Sequence, residues 1–486
     1  MKELLMPALL HHWTFAIPEI WVLVMACAVL LADLFWGQRS PHLAALLSAV
    51  TILGAMLLTL AQWGLNGSAF AGQLLLDPFT LVAELSVELL SLLVLLYSPR
   101  YLRERSLYRG EVFVLLLFAL LGSMIMISGA NLLILYLGLE LLALSQYALV
   151  ALQRDNLRAV EAALKYFILG ALASGLLLYG MSLLYGLTGS LDIAHIAGGL
   201  VNAGADNFVL TMALVFVVAG IAFKLGAAPF HMWIPDAYQG APTVMTLFMA
   251  TAPKVAAFAL VLRILAQGNA GAVEIWQQLF VALAVASLLI GNVVAIAQSN
   301  LKRMLAYSTV SNIGFLSLGI VAGNANGLAS AFYYVLVYAL MAAAGFGMIL
   351  LLSREGFEAE DIADFAGLAQ RRPWYALLML IVMFSMAGVP PTVGFTAKLA
   401  VFQALVQAGY VPLAVFAILM AVVGAFYYLR VVKVMYFDPV PQDAPELAPD
   451  ALTRTVLGLN SVALLLLGIL PGALLGLCFQ ALQGVL

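Results

Sequence analysis

Residues 223–254, F-K-L-G-A-A-P-F-H-M-W-I-P-D-A-Y-Q-G-A-P-T-V-M-T-L-F-M-A-T-A-P-K, decide how this chain folds. The stretch lies within a long apolar sequence, yet it holds four prolines and the ionisable residues Lys224, His231, Asp236 and Lys254. In hydrocarbon, unbonded backbone N–H and C=O groups are tolerated only where they are buried in protein or face a hydrated cavity. A lysine at the centre of a membrane helix costs roughly 2.5–3.5 kcal/mol on insertion scales. A broken helix flanked by two lysines therefore indicates an internal polar pathway for ions.

The composition is that of a polytopic membrane protein. The chain has 486 residues, of which 65% are hydrophobic and 9% charged, whereas soluble proteins carry about 25% charged residues. Cys27 and Cys478 lie in separate apolar runs and support neither a disulfide nor a metal site. We find no removable signal peptide, Walker A motif, G-x-G-x-x-G motif or Cys/His cluster. We therefore expect no cofactor, no metal and no nucleic-acid partner for this chain.

Fourteen apolar runs are long enough to cross a bilayer, at about 20 residues each. The predicted spans, numbered 1 to 14, are 16–36, 42–63, 77–97, 111–128, 131–150, 159–187, 208–234, 242–265, 274–297, 302–322, 327–352, 372–408, 411–436 and 455–480.

Basic residues are concentrated on one side of this arrangement. Fifteen of the 21 lie in the connections that follow odd-numbered spans or at the adjoining span ends: Arg39, Arg100, Arg103, Arg105, Arg109, Arg154, Arg158, Lys302, Arg303, Arg354, Arg371, Arg372, Arg430, Lys433 and Arg454. The positive-inside rule places these connections in the cytoplasm. We expect a multi-pass membrane protein with both termini on the non-cytoplasmic side.

A second broken span is predicted at G-V-P-P-T-V-G-F-T-A-K, where Pro390, Pro391 and Gly394 precede Lys398. Spans 7 and 12 are each the fourth member of a five-span set, and such sets enter the membrane from opposite sides. Paired broken helices at matching places indicate inverted repeats with an ion site near the bilayer midplane. The predicted division is 1–110 for spans 1–3, 111–265 and 266–437 for the two repeats, and 438–486 for the last loop and span.

Buried carboxylates and lysines are candidates for proton transfer. Glu140 lies near the middle of span 5, and burial favours its neutral form unless a cation pairs with it. We expect Glu140 to pair with Lys224, so that breaking the pair frees a proton; a static structural pair is the alternative. Lys165 could lie between them and act on Lys224 by repulsion, or extend to the headgroups. Lys254 and Lys398 would continue the line of titratable groups.

Three further residues have open roles. Histidine has an unperturbed pKa of about 6.5, so His231 could relay protons, although a core histidine with satisfied hydrogen bonds is equally compatible. Glu84 and Glu88 are spaced to share one helix face. They could line a hydrated cavity or bind a neighbouring subunit.

These segments resemble the antiporter-like membrane subunits of respiratory complex I, the bacterial NADH–quinone oxidoreductase. The resemblance covers most of residues 110–435. It rests on Y-L-G-L-E-L, E-A-A-L-K-Y-F, F-K-L-G-A-A-P-F-H-M-W-I-P-D-A-Y-Q-G-A-P, A-P-K, Q-S-N-L-K-R-M-L-A-Y-S-T-V-S-N-I-G and G-V-P-P-T-V-G-F-T-A-K. Lys398 stands where some members have glutamate, and the chain ends after span 14 without a long lateral helix. Both features favour one subunit type within the family.

The resemblance implies an all-α fold of about fourteen membrane helices with two inverted five-helix repeats, each with a broken helix. It implies that Glu140 and Lys224 form the coupling pair, Lys165 the modulator, Lys254 the central relay and Lys398 the outlet-side lysine. One position departs from the family: many relatives have histidine where this chain has Asn312. A relay role there would need water or neighbouring hydroxyl groups, such as those of Ser308 and Ser311.

Three functions stay open at this point. The first is a proton-translocating membrane subunit of complex I, bound to other membrane subunits, with NADH oxidation and quinone reduction on other chains. The second is a cation/proton antiporter subunit without redox coupling. The third is a membrane scaffold in which the buried charges only hold helices together. Dependence of proton flux on NADH separates the first two, and the effect of Lys224→Ala on assembly or turnover tests the third.

Overall fold

The computed structural model describes residues 13–37, 39–200, 207–441 and 450–483, and nearly all of them lie in helices. A helix satisfies its backbone hydrogen bonds within one segment, which a chain in hydrocarbon requires. The α-helices are α1 (Ile17–Trp36), α2 (Leu43–Ala61), α3 (Pro78–Glu104), α4 (Gly110–Ser128), α5 (Leu132–Val150), α6 (Leu157–Thr188), α7 (Ile193–Leu200), α8 (Phe208–Leu225), α9 (Trp233–Gly240), α10 (Thr243–Met249), α11 (Ala252–Leu260), α12 (Val273–Ile296), α13 (Leu301–Val321), α14 (Ala325–Leu352), α15 (Leu368–Arg371), α16 (Pro373–Ala387), α17 (Val393–Gln407), α18 (Val411–Phe437), α19 (Ala451–Ile469) and α20 (Gly472–Gln483).

The predicted all-helical membrane fold is confirmed. In the described residues, thirteen helical runs are long and apolar enough to cross a membrane. Predicted span 12 is absent from these thirteen because it is divided between α16 and α17, each of which is short. The inverted repeats and the proposed domain boundaries stay predictions. Both chain termini lie outside the described residues.

Seven long helices begin just after an Asn or Asp whose side chain accepts a hydrogen bond from the first turn. These caps are Asp77, Asn131, Asn156, Asn207, Asn300, Asn324 and Asp450. The first N–H groups of a helix have no partner within it, and such side chains supply one. The caps therefore help to set where each span starts.

Both predicted breaks are present, and each begins at a glycine in the left-handed region. Helix α8 ends at Gly226 (φ +89°) and α16 at Gly388 (φ +86°). This is a common way to end a helix, because glycine has no Cβ to clash there. A Cβ on Gly226 would also lie 2.0 Å from Cδ1 of Ile234. Span 7 therefore ends as a helix nine residues earlier than predicted.

Several other elements were not predicted. A short hairpin pairs β1 (Gly67–Ala69) with β2 (Leu74–Leu76) between α2 and α3. Predicted span 8 is interrupted between α10 and α11 and ends in a π-helical turn, Val261–Gln267. Predicted span 14 is divided between α19 and α20. Length and hydropathy located these segments, but they could not show interruptions inside them.

The helices around the two breaks form the interior of the molecule. In the most apolar stretch of each helical run, the share of buried residues is 100% in Thr243–Gln267 and 94% in both α13 and α14. The corresponding share is 33% in α2 and 28% in α18. Charged groups on α11 and the neighbouring helix ends are therefore enclosed by protein, while the outer helices expose apolar side chains.

Candidate functional site

Lys254 bonds to the broken end of α8. Its side chain on α11 is 1% exposed, and Nζ donates to the carbonyl oxygens of Leu225 at 2.9 Å and Lys224 at 3.4 Å. Nζ also lies 4.9 Å from the ring centroid of Trp233. The last carbonyls of a helix lack an internal partner and form the negative end of its dipole. The break thus provides acceptors for a buried amine without using a carboxylate.

Lys398 occupies a matching position at the second break. Its Nζ donates to the carbonyl oxygens of Ala387 at 2.8 Å and Met386 at 3.0 Å, the last two of α16. It lies 4.8 Å from the ring centroid of Phe315 and is 7% exposed. At both breaks a lysine therefore holds the end of a helix that stops at a left-handed glycine, beside one aromatic ring.

Glu140 and Lys224 lie in one electrostatic unit, but they do not touch. Among the described residues, no salt bridge within 4.0 Å joins them, although each charge acts on the other. Glu140 is half-buried and accepts a hydrogen bond from Ser174, while Lys224 donates to Oε1 of Gln146 at 3.4 Å. The two side chains are therefore not in direct contact in this structure, and their role as a coupling pair stays a prediction.

Gln146 connects Lys224 to Lys254 through a chain of contacts, and it was not among the site residues predicted from the sequence. Its Oε1 also accepts from the hydroxyl of Tyr166 at 2.8 Å. The Tyr166 ring stacks on Trp233, with centroids 4.4 Å apart, and Trp233 lies beside Lys254. The sequence feature that could have identified Gln146 is an uncharged polar residue inside an apolar predicted span.

Lys165 has other partners than those expected. It is 46% exposed and forms ion pairs with Glu161 at 2.7 Å and Asp236 at 2.9 Å. Asp236 also accepts from Arg303 at 2.9 Å. Burial alone would raise the pKa of Asp236, but its bonds with Lys165 and Arg303 lower the pKa below the ordinary value. The described contacts of Lys165 are therefore at this ion-pair cluster and not between Glu140 and Lys224.

His231 lies in the first break, half-buried, and is not bonded to any of the buried lysines by a described contact. Its ring lies 6.3 Å from the Tyr307 ring, and Nδ1 is buried without a described partner. A relay role for His231 stays a prediction.

Asn312 is fully bonded in a buried network of hydroxyl and amide groups. Its Nδ2 donates to the carbonyl of Ser308 at 2.8 Å and to the hydroxyl of Tyr428 at 3.4 Å. Its Oδ1 accepts from the hydroxyl of Tyr334 at 2.8 Å. Ser308 also contacts Tyr428 directly, and Ser311 donates to Asn292. Neighbouring hydroxyl groups therefore surround the position for which the resemblance implied a histidine.

We expect Asn312→Leu to destabilise the chain and slow proton transfer, because it leaves the Tyr334 hydroxyl without its acceptor and removes one of the partners of the Tyr428 hydroxyl. Each buried unsatisfied group costs about 1–3 kcal/mol. The measurements are thermal unfolding of the assembled complex and NADH-driven proton uptake. Asn312→His is the matched control and should retain most of both; equal losses in the two variants would contradict a hydrogen-bonding role.

Glu84 and Glu88 both lie on α3, and their side chains are buried in the interior of the protein. They are 1% and 0% exposed, and Glu88 accepts from Thr59 at 2.9 Å. Glu19 lies next to Glu84 and accepts from Ser128 at 2.8 Å. Such burial argues against contact with a neighbouring subunit.

Two further basic residues are buried at helix ends. Arg263 is 0% exposed and pairs with Asp77 at 2.6 Å, while Lys302 donates to the carbonyl of Ala241 at 2.8 Å. Arg263 falls near the end of predicted span 8 and Lys302 at the start of predicted span 10, where burial is not evident from the sequence. The described parts of the chain hold no group of three or more His, Cys, Asp or Glu side chains suited to a metal ion.

Comparisons with known proteins give one consistent set of relatives. Residues 129–424 match the family described as NADH:quinone oxidoreductase/Mrp antiporter, TM. The chain is 67% identical over 481 residues to NADH-quinone oxidoreductase subunit N of Acidithiobacillus ferrooxidans, covering 99% of this chain and 100% of that protein. It is 56% identical over 477 residues to the subunit N of Thiobacillus denitrificans, covering 98% and 99%.

Two solved structures are similar along nearly the whole chain. A chain of respiratory complex I from Thermus thermophilus matches with a TM-score of 0.81 at 32% identity, covering 94% of this chain and 98% of that one. A chain of the Mrp complex from Dietzia sp. DQ12-45-1b matches with a TM-score of 0.86 at 21% identity, covering 98% of both. At that lower identity, the second match bears on the fold alone.

Proposed function

The chain belongs to the NADH:quinone oxidoreductase/Mrp antiporter transmembrane family, and from this membership we propose that its buried Glu and Lys side chains carry protons. The chain is a proton-translocating membrane subunit of NADH–quinone oxidoreductase, or complex I. Lys398 favours one subunit type within the family, and the names of the relatives identify that type as subunit N. The relatives' names do not support the alternative of an antiporter without redox coupling.

The observation that carries the mechanism is the matched placement of Lys254 and Lys398. Each is buried at a broken helix and bonded to backbone carbonyls. A carboxylate partner would favour the charged form of each lysine and so retain its proton. Carbonyl acceptors can bond to a lysine both as an ammonium and as an amine, so the proton can leave without disrupting the site.

The remaining roles follow the order of the buried groups Glu140, Lys224, Lys254 and Lys398, here called the row. Glu140 and Lys224 are the coupling pair; in this structure Ser174 donates to Glu140, and Lys224 donates to Gln146. A change that brings them together would favour their charged forms; separation would favour the neutral forms, so that Lys224 loses a proton and Glu140 gains one. Lys254 passes the charge towards Lys398 on the outlet side. Lys165 modulates the pair from the Asp236 cluster, and we keep His231 as a relay near the break.

The redox reaction takes place elsewhere in the complex. NADH oxidation and quinone reduction belong to other subunits and supply the free energy, and this chain binds no redox cofactor itself. It spans the bacterial inner membrane many times beside other membrane subunits. Both termini are placed in the periplasm by the distribution of basic residues.

Lys398→Met tests this function. The apolar stem remains, but the proton-binding group is lost, so NADH-driven proton uptake by the assembled complex should fall several-fold. The measurements are proton uptake and NADH–quinone turnover in membranes whose complex is verified by native gel.

Lys433→Met is the control, because Lys433 is 63% exposed and pairs with Asp438 at 2.5 Å. It should behave as wild type. Unchanged proton uptake in an assembled Lys398→Met complex would exclude Lys398 from the path. A stoichiometric flavin, haem or iron signal from the isolated chain would contradict the expected lack of a cofactor.

A further inference from the structure

A basic cavity opens between two connections on the predicted cytoplasmic side. It has a volume of about 820 Å³ and lies between the α3–α4 and α5–α6 connections. Four arginines line it, Arg105, Arg109, Arg154 and Arg158, together with a single acidic residue, Asp155. The excess of positive charge indicates an anionic ligand.

The arginines differ in how far they are already neutralised. Arg105 is bonded to Glu358, and Arg109 lies 3.8 Å from Glu111. In the described residues, the side chains of Arg154 and Arg158 have no acidic partner within 4.0 Å, and both are exposed. Their donors are therefore free to bind an anion. Guanidinium groups suit phosphate because their planar donors match its oxygens.

The cavity continues into an apolar helix face. Leu157 lines the cavity and is 85% exposed at the start of α6. Further along the same helix, Leu164, Ile168 and Leu172 are 54%, 62% and 63% exposed. Their spacing places them on one face of the helix. Glu161 interrupts this face, but its charge is paired with Lys165. An arginine-lined cavity above an exposed apolar stripe has the amphipathic form of a phospholipid.

We propose that this cavity binds the phosphodiester headgroup of an anionic phospholipid, whose acyl chains lie along α6. Basic pockets on the cytoplasmic side of membrane proteins bind anionic headgroups, and the cytoplasmic leaflet supplies such lipids. Positive-inside topology explains the presence of basic residues in these connections. It does not require them to meet around one cavity beside an apolar face.

The test uses the complete complex in phosphatidylcholine vesicles with a small fraction of photoreactive phosphatidylglycerol. Labelled peptides are identified by mass spectrometry. Wild type should be labelled in the two connections that form the cavity. The double variant Arg154→Gln with Arg158→Gln should bind about 30-fold more weakly, at about fivefold for each arginine. Arg39→Gln, an exposed arginine in another connection on the same side, should label as wild type.

Competition separates the sources of phosphate. Unlabelled phosphatidylglycerol should displace the probe, whereas inorganic phosphate should not. Displacement by inorganic phosphate at equal concentration would show a free-anion site and overturn the lipid proposal. Equal labelling of the double variant and wild type would overturn it too, as would cross-linking of these connections to a neighbouring subunit without lipid. Native gels and NADH–quinone turnover verify that the double variant assembles.

Discussion

NADH–quinone turnover and NADH-driven proton uptake are both expected to fall by about tenfold or more when Lys224 is replaced by alanine. A positioned proton carrier contributes roughly 10²–10⁴-fold to a rate, and water or Lys254 can replace part of that contribution. Lys224 is the buried cation that interacts with Glu140 and is bonded to Gln146. Its removal separates Glu140 from Lys254 and Lys398, which follow Lys224 in the row. Both activities should fall because transport and electron transfer are coupled.

Assembly distinguishes this result from a structural defect. Native gels should show a normal amount of Lys224→Ala complex, and Lys433→Ala should be active. A complex that is lost with the mutation would support the scaffold function, since the defect would then be in assembly. Normal turnover and normal proton uptake in an assembled variant would remove Lys224 from the mechanism.

Arg263→Met is expected to have the largest effect on stability. It leaves the carboxylate of Asp77 buried without its partner, and breaking a buried pair in this way costs about 3–5 kcal/mol. Arg263 is fully buried and also donates to Thr80 at 2.7 Å and to the carbonyl of Ile127 at 3.1 Å. The yield of assembled complex and its unfolding temperature should both decrease sharply.

A second substitution provides the control. Asp77→Asn keeps an oxygen to cap α3 but removes the charge, so combining it with Arg263→Met should recover much of the lost stability. If the double variant is no more stable than Arg263→Met alone, the unpaired charge is not the cause of the loss.

Sequence reasoning located the buried lysines but not their partners. Prolines and glycines near Lys254 and Lys398 predicted the two breaks, because such residues end helices. That each amine reaches the end of a different helix depends on how α11 crosses α8 and how α17 folds back on α16. These contacts arise from tertiary packing, which hydropathy does not describe.

The immediate neighbours of Glu140 and Lys224 could not be predicted from the sequence pattern. Opposite charges in one apolar region favour pairing, and the two do interact electrostatically. Uncharged neighbours determine the actual bonds: Ser174 binds Glu140 and Gln146 binds Lys224. Such neutral groups have little signature in a sequence, whereas a charge in an apolar run is conspicuous.

The carbonyl acceptors of Lys254 and Lys398 affect how protons can be distributed among the buried lysines. Since a backbone carbonyl carries no full charge, the ammonium of Lys254 is not neutralised by its acceptors. Its Nζ also bonds to the backbone of Lys224, so ammonium groups on these two side chains would repel each other. We therefore expect proton binding at Lys224 and Lys254 to be anticooperative, because a proton on one of them disfavours a proton on the other.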